Sequence, residues 1–598
     1  MSLESEVLEL RERMRAWIAH EGESTRRSLV ETWAQPIPER VESGSCLEGL
    51  RFLGVEGRGE ILRFEAPSFL AKFREGEALY LGDGERVEEG FPCTFESFDP
   101  GTGEVRISPD RFDRRDPPVL TAERTYCLDR RGLGLEALLL EGLSQLFQPG
   151  REAWVETLLG RFPREPDPAR EREARKCLGE SEFTEAQGEA FVRAVGGEGV
   201  TLVQGPPGTG KTRVLAEIAV HLAKRRARVF VTGYTHRAIQ NVLLAIRRRE
   251  PGLPLFKLGR RAEDEGLRAR GIRLAPSLNR LKLPPGGVVV GGTPFALRRC
   301  PKEPRFHFLL MDEAGQMPVV HGAIAMLVAR RHVLVGDPAQ LSPVRVGDRH
   351  DPSLGDSLFL RMQRYVEPIL LDLSFRLNDG LVSVVSREFY GGRLRAAPEA
   401  AGRRLPWNPG GRHDPILDPE RPLVWARFDH RGRRRRSPEE TALLVALVGE
   451  LRGRHGLPPG EIAVLSPYRA QVRAIRHALE KEGLHDPNLV VDTVERLQGQ
   501  ERECLLLSLA CSDRDVCERR AEFFYDPGRL NVALSRARTK CVVAASTEAL
   551  RGRPRDLDLL LAAARLKRIL RAASAVDCGT GRDAASRGAS GAVARSGS

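Results

Sequence analysis

Residues 199–223 read Gly-Val-Thr-Leu-Val-Gln-Gly-Pro-Pro-Gly-Thr-Gly-Lys-Thr-Arg-Val-Leu-Ala-Glu-Ile-Ala-Val-His-Leu-Ala, and they decide the architecture of this 598-residue chain. The apolar run GVTLVQ breaks into Gly205-Pro206-Pro207-Gly208-Thr209-Gly210-Lys211-Thr212, a complete G-x-x-x-x-G-K-[ST] match. Apolar residues then recur at Val214, Leu215, Ile218, Ala219 and Leu222, the spacing of a helix with one buried face. A strand, a glycine-rich turn and a helix in that order make a phosphate cradle, because backbone N–H groups curve round the oxygens at the positive end of a helix. Lys211 is placed for the β- and γ-phosphates of a nucleoside triphosphate, and Thr212 for Mg2+.

Hydrolysis needs a second metal ligand and a group that orients water. Phe306–Met311 reads as an apolar strand ending in Asp312-Glu313-Ala314. Asp312 would complete the metal's ligand shell and Glu313 would polarise the attacking water. Acidic residues also end strands as helix caps, but beside a P-loop the pair reads as catalytic.

Outward from this centre, RVFVT, GGVVVGG, FHFLLMD and HVLVG are continuous apolar runs between amphipathic stretches. Such runs predict parallel strands covered on both faces by helices. The texture repeats in PILLDL, PLVWARF, EIAVLS, LVVDT, ECLLLSLA and KCVVAAS, so a second α/β domain is expected, divided from the first near Asp356–Val366. Before them, Glu6–His20 carries leucines on one helical face, and RFLGV, ILRFEA, ALYLG and EVRISP alternate like the short strands of a small β-barrel. Helix returns near Gly132–Phe147. The expected divisions are an accessory helical and barrel region at 1–175, α/β domains at 176–360 and 361–555, and a helix with a tail at 556–598. The Gly/Ala/Ser/Arg-rich stretch Gly579–Ser598 lacks periodicity and is expected to be disordered.

Lys and Arg outnumber Asp and Glu by 94 to 82, a net charge of +12 that favours a polyanionic partner. The ten cysteines include no CxxC pair, which argues against zinc or a closely spaced iron–sulfur centre and for buried free thiols. No apolar run approaches the ~20 residues that span a bilayer. With no apolar leader at the N-terminus, the expectation is a cytoplasmic chain with no membrane partner.

Further motifs make the chain resemble superfamily 1 helicases. Gly336-Asp-Pro-Ala-Gln-Leu-Ser-Pro343 resembles motif III, Thr493-Val-Glu-Arg-Leu-Gln-Gly-Gln-Glu501 motif V, and Arg529-Leu-Asn-Val-Ala-Leu-Ser-Arg-Ala-Arg538 motif VI. Phe183-Thr-Glu-Ala-Gln187 resembles the Q motif. Thr232-Gly-Tyr-Thr-His-Arg-Ala-Ile-Gln-Asn241, Asp312-Glu-Ala-Gly-Gln316, Leu373-Ser-Phe-Arg-Leu-Asn378, Phe389-Tyr-Gly-Gly-Arg-Leu394 and Ser466-Pro-Tyr-Arg-Ala-Gln471 are worded like the 1B branch, which holds the nonsense-mediated-decay helicases and their immunoglobulin-mu-binding relative. The resemblance covers roughly Ser181 to Leu550.

It implies two tandem RecA-like domains sharing one ATP and one Mg2+. On this reading Gln340 couples the γ-phosphate to nucleic acid, while Arg376 and Arg536 are arginine fingers from the second domain. Gln187 reads adenine, Phe375 stacks on it, and Glu501 belongs to the same nucleotide site. Thr235, His236, Thr293, Tyr468, Arg469 and Thr493 are the strand contacts, expected on the opposite edge of the same sheets, with Tyr468 stacking on a base. The Arg431–Arg436 run reads as a solvated loop. The resemblance further implies a monomer moving 5′ to 3′ on single-stranded DNA or RNA, with DNA somewhat favoured. An ATPase that clamps nucleoprotein without unwinding, and a fused helicase–nuclease, remain open. The short stretch between Arg249 and Pro285 leaves little material for a second accessory lobe.

Overall fold

The computed structural model describes residues 2–579 apart from 58–59, 68–70, 72, 74–75, 100, 111–117, 133, 164–166, 179–181, 260–264, 298–303, 344–350 and 498. The stretch expected to be disordered lies, from residue 580 on, outside the described residues. No helix among those described is long and apolar enough to cross a membrane.

The first helix runs from Leu3 to Trp33, well beyond the expected Glu6–His20. Its first half buries Leu10, Met14, Trp17 and Ile18 in one core with Leu139, Leu143 and Leu146 of the helix Leu135–Leu146 and with Val319–Met326 of the first α/β domain. Its second half is a polar stalk that ends where the Trp33 indole donates to the Arg130 carbonyl at 2.9 Å. Arg13 fixes the base of the stalk by a forked pair on Asp351 at 2.8 and 3.0 Å.

The stalk carries a closed antiparallel barrel of β1 (Cys46–Glu56), β2 (Ile61–Glu65), β3 (Ala78–Gly82), β4 (Phe91–Asp99), β5 (Glu104–Pro109) and β6 (Thr125–Arg130), in the order β1-β2-β5-β4-β3-β6. Closure removes the sheet edges that would otherwise pair with other chains. Leu50, Phe64, Leu79, Phe95, Val105, Ile107 and Leu128 fill its centre. At one end the guanidinium of Arg40 and the carboxylate of Asp129, each 2% exposed, form a buried ion pair.

The first α/β domain is an eight-stranded parallel sheet of β7 (Val200–Gln204), β8 (Arg228–Gly233), β9 (Leu255–Leu258), β10 (Arg273–Ala275), β11 (Val288–Gly291), β12 (Phe308–Asp312), β13 (Arg331–Gly336) and β14 (Ile369–Leu370). Their order is β10-β9-β11-β8-β12-β13-β7-β14. The described part of Arg249–Pro285 adds β9 and β10 to this sheet. The sheet also takes in β14, beyond the division expected at 360, because Ile369 and Leu370 pair with Val203 and Gln204. The helix Pro168–Leu178 packs Ala174 into this domain's core, so the division expected at 175 cuts through a helix.

A short parallel pair, β15 (Leu373–Ser374) and β16 (Arg395–Ala396), opens the second domain. Its sheet has six parallel strands, β17 (Leu423–Phe428), β18 (Ile462–Leu465), β19 (Val490–Asp492), β20 (Arg502–Ser508), β21 (Ala537–Ser546) and β22 (Ser574–Asp577), ordered β19-β18-β20-β21-β17-β22. The terminal helix Leu557–Ala572 buries Ala562, Ala563, Leu566, Ile569 and Leu570 in the second core, and β22 pairs with β17. Residues 556–577 therefore complete the second domain rather than follow it.

Removing one partner of a buried ion pair leaves an uncompensated charge, which costs about 3–5 kcal/mol. Asp129→Ala is therefore expected to lower the first denaturant-unfolding transition by that amount. An unchanged transition would show that Arg40 finds water or other acceptors in the folded barrel.

Candidate functional site

The P-loop leaves β7 at Gly205 and enters the helix Lys211–Lys224. Gly208 has φ +74°, and a Cβ there would lie 2.4 Å from the Cβ of Arg376, so only glycine allows the second domain to come this close. Lys211 Nζ donates to the carbonyls of Gly205 at 2.5 Å and Pro206 at 3.4 Å. An ammonium folded onto its own loop at a helix N-terminus holds the place a phosphate oxygen suits better.

Asp312 ends β12 and is 4% exposed. Burial pushes its carboxyl up to about 7, the Glu313 charge adds to the rise, and Lys211 opposes it. It accepts the Glu313 backbone N–H at 3.0 Å and makes no ion pair among the described residues. A buried carboxylate that makes no ion pair among the described residues, with the Thr212 hydroxyl in the first turn of the P-loop helix, is a hard-oxygen donor set that fits a divalent metal. Glu313 adopts φ +54°, a left-handed conformation that a non-glycine side chain rarely takes, and its carboxylate accepts from Gln316 Nε2 at 2.9 Å. Such strain is commonly stored where chemistry requires a fixed group.

Arg536, 3% exposed, donates across the domain boundary to Gln340 Oε1 at 2.8 Å. Burial depresses its guanidinium to about 9, and the charge of Arg376 lowers it further. Arg376 donates to Glu501 at 2.6 Å and to the Ser535 carbonyl at 3.1 Å. Glu501 is thus committed to Arg376, with Arg538 at 3.6 Å. The Phe375 backbone N–H donates to the Gly208 carbonyl at 2.9 Å, and Ser374 Oγ to that of Pro207 at 2.8 Å, so β15 lies directly on the P-loop.

Gln187 is buried as part of a capping box with Thr184, and its Nε2 donates to the Thr209 carbonyl at 3.0 Å. Its amide braces the loop instead of facing open space. An open cavity of about 530 Å³ beside it is lined by Phe183, Thr212, Arg213 and Ala216, among others. Phe183 stands inside the stretch that resembles the Q motif, whereas nothing in the sequence singles out Arg213. Asp337, Tyr390 and Asn531, whose hydrogen bonds tie the two domains together, each stand inside a quoted motif, but no pattern in the sequence pairs one with another.

The expected strand contacts do not lie on an opposite edge. Thr235 follows β8 and Thr293 follows β11, while Tyr468 and Arg469 follow β18 and Thr493 follows β19. All sit at the carboxyl ends of parallel strands, as the P-loop and Asp312 do, but on neighbouring strands displaced sideways. Thr235 is exposed and caps the helix His236–Arg249 through Ala238 N at 3.2 Å. His236, Thr293 and Arg469 are partly exposed, and Thr493 is buried. Tyr468 is 5% exposed and packs on Phe523, with ring centroids 5.6 Å apart. It is a core residue here, which corrects the expectation that it stacks on a base.

Among the described residues Asp414, Glu450 and His455 could offer a metal three ligand atoms. The His455 Nδ1 accepts the Asn408 N–H at 3.1 Å, which leaves the proton of the neutral ring on Nε2. The described cysteines are free thiols, and all but Cys177 and Cys578 are buried, in keeping with their spacing.

Two RecA-like domains, with a P-loop in one and a buried arginine from the other reaching Gln340, define the fold of a two-domain P-loop nucleotide-binding protein. The sequence profile of a family described as AAA domain matches residues 182–352, and a second of that description matches 354–548. The chain is 28% identical over 422 residues to the DNA replication ATP-dependent helicase/nuclease DNA2 of Mus musculus, covering 62% of this chain and 37% of that one. The protein of that name from Bos taurus is 24% identical over 596 residues, covering 88% of this chain and 53% of that one. A crystal structure of arterivirus nonstructural protein 10 (helicase) covers 85% of this chain and 80% of that one at 13% identity and a TM-score of 0.36, too slight a likeness to argue from. The chain is thus similar to proteins that carry paired AAA domains of the helicase kind, and it spans 37% and 53% of the lengths of these two relatives.

Lys211→Ala is expected to weaken ATP binding and abolish turnover, measured by nucleotide titration and phosphate release. Turnover at the wild-type rate would remove Lys211 from the site.

Proposed function

We propose that this chain couples ATP hydrolysis to 5′-to-3′ movement along single-stranded DNA, as a monomer, and separates duplexes as it advances. The observation that carries the reading is the Arg536–Gln340 hydrogen bond, which joins the two domains beside Lys211, Asp312 and Glu313. A cation from one lobe at the nucleotide of another makes closure depend on the γ-phosphate, and hydrolysis then releases it.

Within this proposal Gly205–Thr212 cradle the phosphates and Lys211 neutralises them. Thr212 and Asp312 hold Mg2+, which supplies Lewis-acid polarisation of the phosphoryl oxygens when bound. Glu313 orients and deprotonates water, Gln340 senses the γ-phosphate, and Arg376 and Arg536 balance the charge that develops on transfer. Phe375 stacks on adenine while Gln187 fixes the loop. Thr235, His236, Thr293, Arg469 and Thr493 form the track for the strand's phosphates, without reading sequence.

DNA is favoured over RNA because the relatives' names attach them to DNA replication. Those names also include a nuclease, and cleavage of a single strand in the presence of Mg2+ would favour that second reading. RNA as substrate, and a clamp that never unwinds, are outcomes of the tests below.

Glu313→Gln is expected to bind ATP normally yet hydrolyse it at least about 100-fold more slowly, the usual loss for a general base. Near-normal phosphate release would exclude that role. For the whole chain, hydrolysis should rise on adding single-stranded DNA, and a duplex with a 5′ tail should separate with ATP but not with a non-hydrolysable analogue. Stimulation without separation would favour the clamp, and preference for a 3′ tail would reverse the polarity.

A further inference from the structure

Asp337 follows β13 directly, is 2% exposed and forms no ion pair among the described residues. One of its oxygens, Oδ2, accepts two short hydrogen bonds, from Gln340 Nε2 at 2.6 Å and from the Tyr390 hydroxyl at 2.6 Å. Tyr390, 3% exposed, belongs to the second domain and follows the helix Asp379–Phe389. Its hydroxyl in turn accepts from Asn531 Nδ2 at 2.8 Å, and that amide also donates to the Ala339 carbonyl at 2.9 Å. Asn531 lies on the helix Pro527–Leu534, and Arg536 leaves the C-terminal end of that helix.

Two arms therefore run from one helix of the second domain to one carboxylate oxygen of the first. One arm is Arg536–Gln340–Asp337, which contains the expected arginine finger. The other is Asn531–Tyr390–Asp337, which contains no charge of its own apart from the carboxylate. The helix approaches so closely that a Cβ on Gly528 would lie 2.3 Å from the Gln340 carbonyl oxygen. In this dry setting each hydrogen bond polarises the next, so a change at one end is felt at the other. Lys211 acts electrostatically on the same Asp337 carboxylate. Asn531 Oδ1 is buried with no hydrogen-bond partner, so the amide retains an acceptor that can pair when the domains move.

We propose that Tyr390 is a positioning residue that transmits the state of the nucleotide site through Asp337 to Asn531 and the Arg536-bearing helix, and so couples hydrolysis to strand binding. The proposal rests on the motor reading above. Only a hydroxyl can do this work, since it must donate to the carboxylate and accept from the amide at once. Phenylalanine fills the same space and can do neither.

The test is Tyr390→Phe in the full chain, with phosphate release measured across ATP concentrations, with and without a single-stranded DNA oligonucleotide, alongside thermal melting. The ratio of strand-stimulated to basal kcat should fall about tenfold, while the KM for ATP stays within about twofold, because the lost interaction matters after binding. Asn531→Ala should reproduce the loss. The double variant should be no worse than the poorer single, as expected for two members of one unit. A wild-type stimulation ratio in Tyr390→Phe overturns the proposal, as do losses that multiply in the double variant. A lower melting temperature with an unchanged ratio gives the phenol only a packing role and overturns it as well. If the wild-type chain itself shows no stimulation by DNA or RNA, the motor reading falls and takes this proposal with it, whereas a stimulated wild type beside an unaffected variant sinks the relay alone.

Discussion

A guanidinium buried where two domains meet constrains the rest of this structure. Arg536 has left water, and its ordinary affinity for protons is depressed by that burial. It holds its place through Gln340 Oε1 and the carbonyls of Val532 and Gln500, none of them a carboxylate. A buried cation without an anionic partner is expensive. It becomes economical only when negative charge arrives in the crevice, and Lys211, folded onto its own loop, is in a similar position. Both sides of the cleft are thus set to gain more from a polyphosphate than from each other. That difference is the differential affinity a nucleotide needs to shift a domain equilibrium.

Arg376 illustrates the opposite condition. It is already paired, to Glu501 at 2.6 Å, and Glu501 is shared with Arg538. To reach a phosphate it must leave a carboxylate, so its release and the arrival of the nucleotide compete for one side chain. On the proposed reading Arg536 would meet an anion it now lacks, whereas Arg376 would exchange one anion for another. Two arginines that look equivalent in a motif therefore answer to different local electrostatics, and closure can proceed in two stages on that account.

Sequence legibility followed sequence distance. The phosphate cradle is eight consecutive residues whose types are each dictated by the loop's geometry, so Gly205–Thr212 could be read directly. The β/α texture gave both sheets, because strands buried on both faces must be continuously apolar. The run PILLDL marks β14 but not the sheet that it joins, since an apolar run names no partner strand, and β22 escapes because four residues carry no period. The divisions expected at 360 and 555 were displaced for that reason. Tyr390 and Asn531 are 53 and 194 residues from Asp337 along the chain, counted from their numbers, and an aromatic after an apolar helix reads as core. Tyr468 was misread in the other direction. A tyrosine inside a motif suggested a stacking surface, but the helix Arg469–Lys481 and the segment around Phe523 close over it.

Parallel topology also explains how one edge can serve two ligands. Every crossover returns each strand to the same direction, so all the carboxyl ends of a sheet open on one side. In the first domain β7, β13 and β12 bring the P-loop, Asp337 and Asp312 to one half of that side, while β8 and β11 bring Thr235 and Thr293 to the other. The Thr232 hydroxyl ties the two halves of the latter pair by donating to the Gly292 carbonyl at 2.8 Å. The half that carries Asp312 and the half proposed for the strand therefore meet where β12 pairs with β8, from Phe308–Asp312 to Val229–Gly233. A shift of a few tenths of an ångström at Asp312 cannot be absorbed within so rigid a ladder. Asp312 pairs with Gly233, two residues before Thr235, so β8 is the direct route by which such a shift reaches the neighbouring strand end.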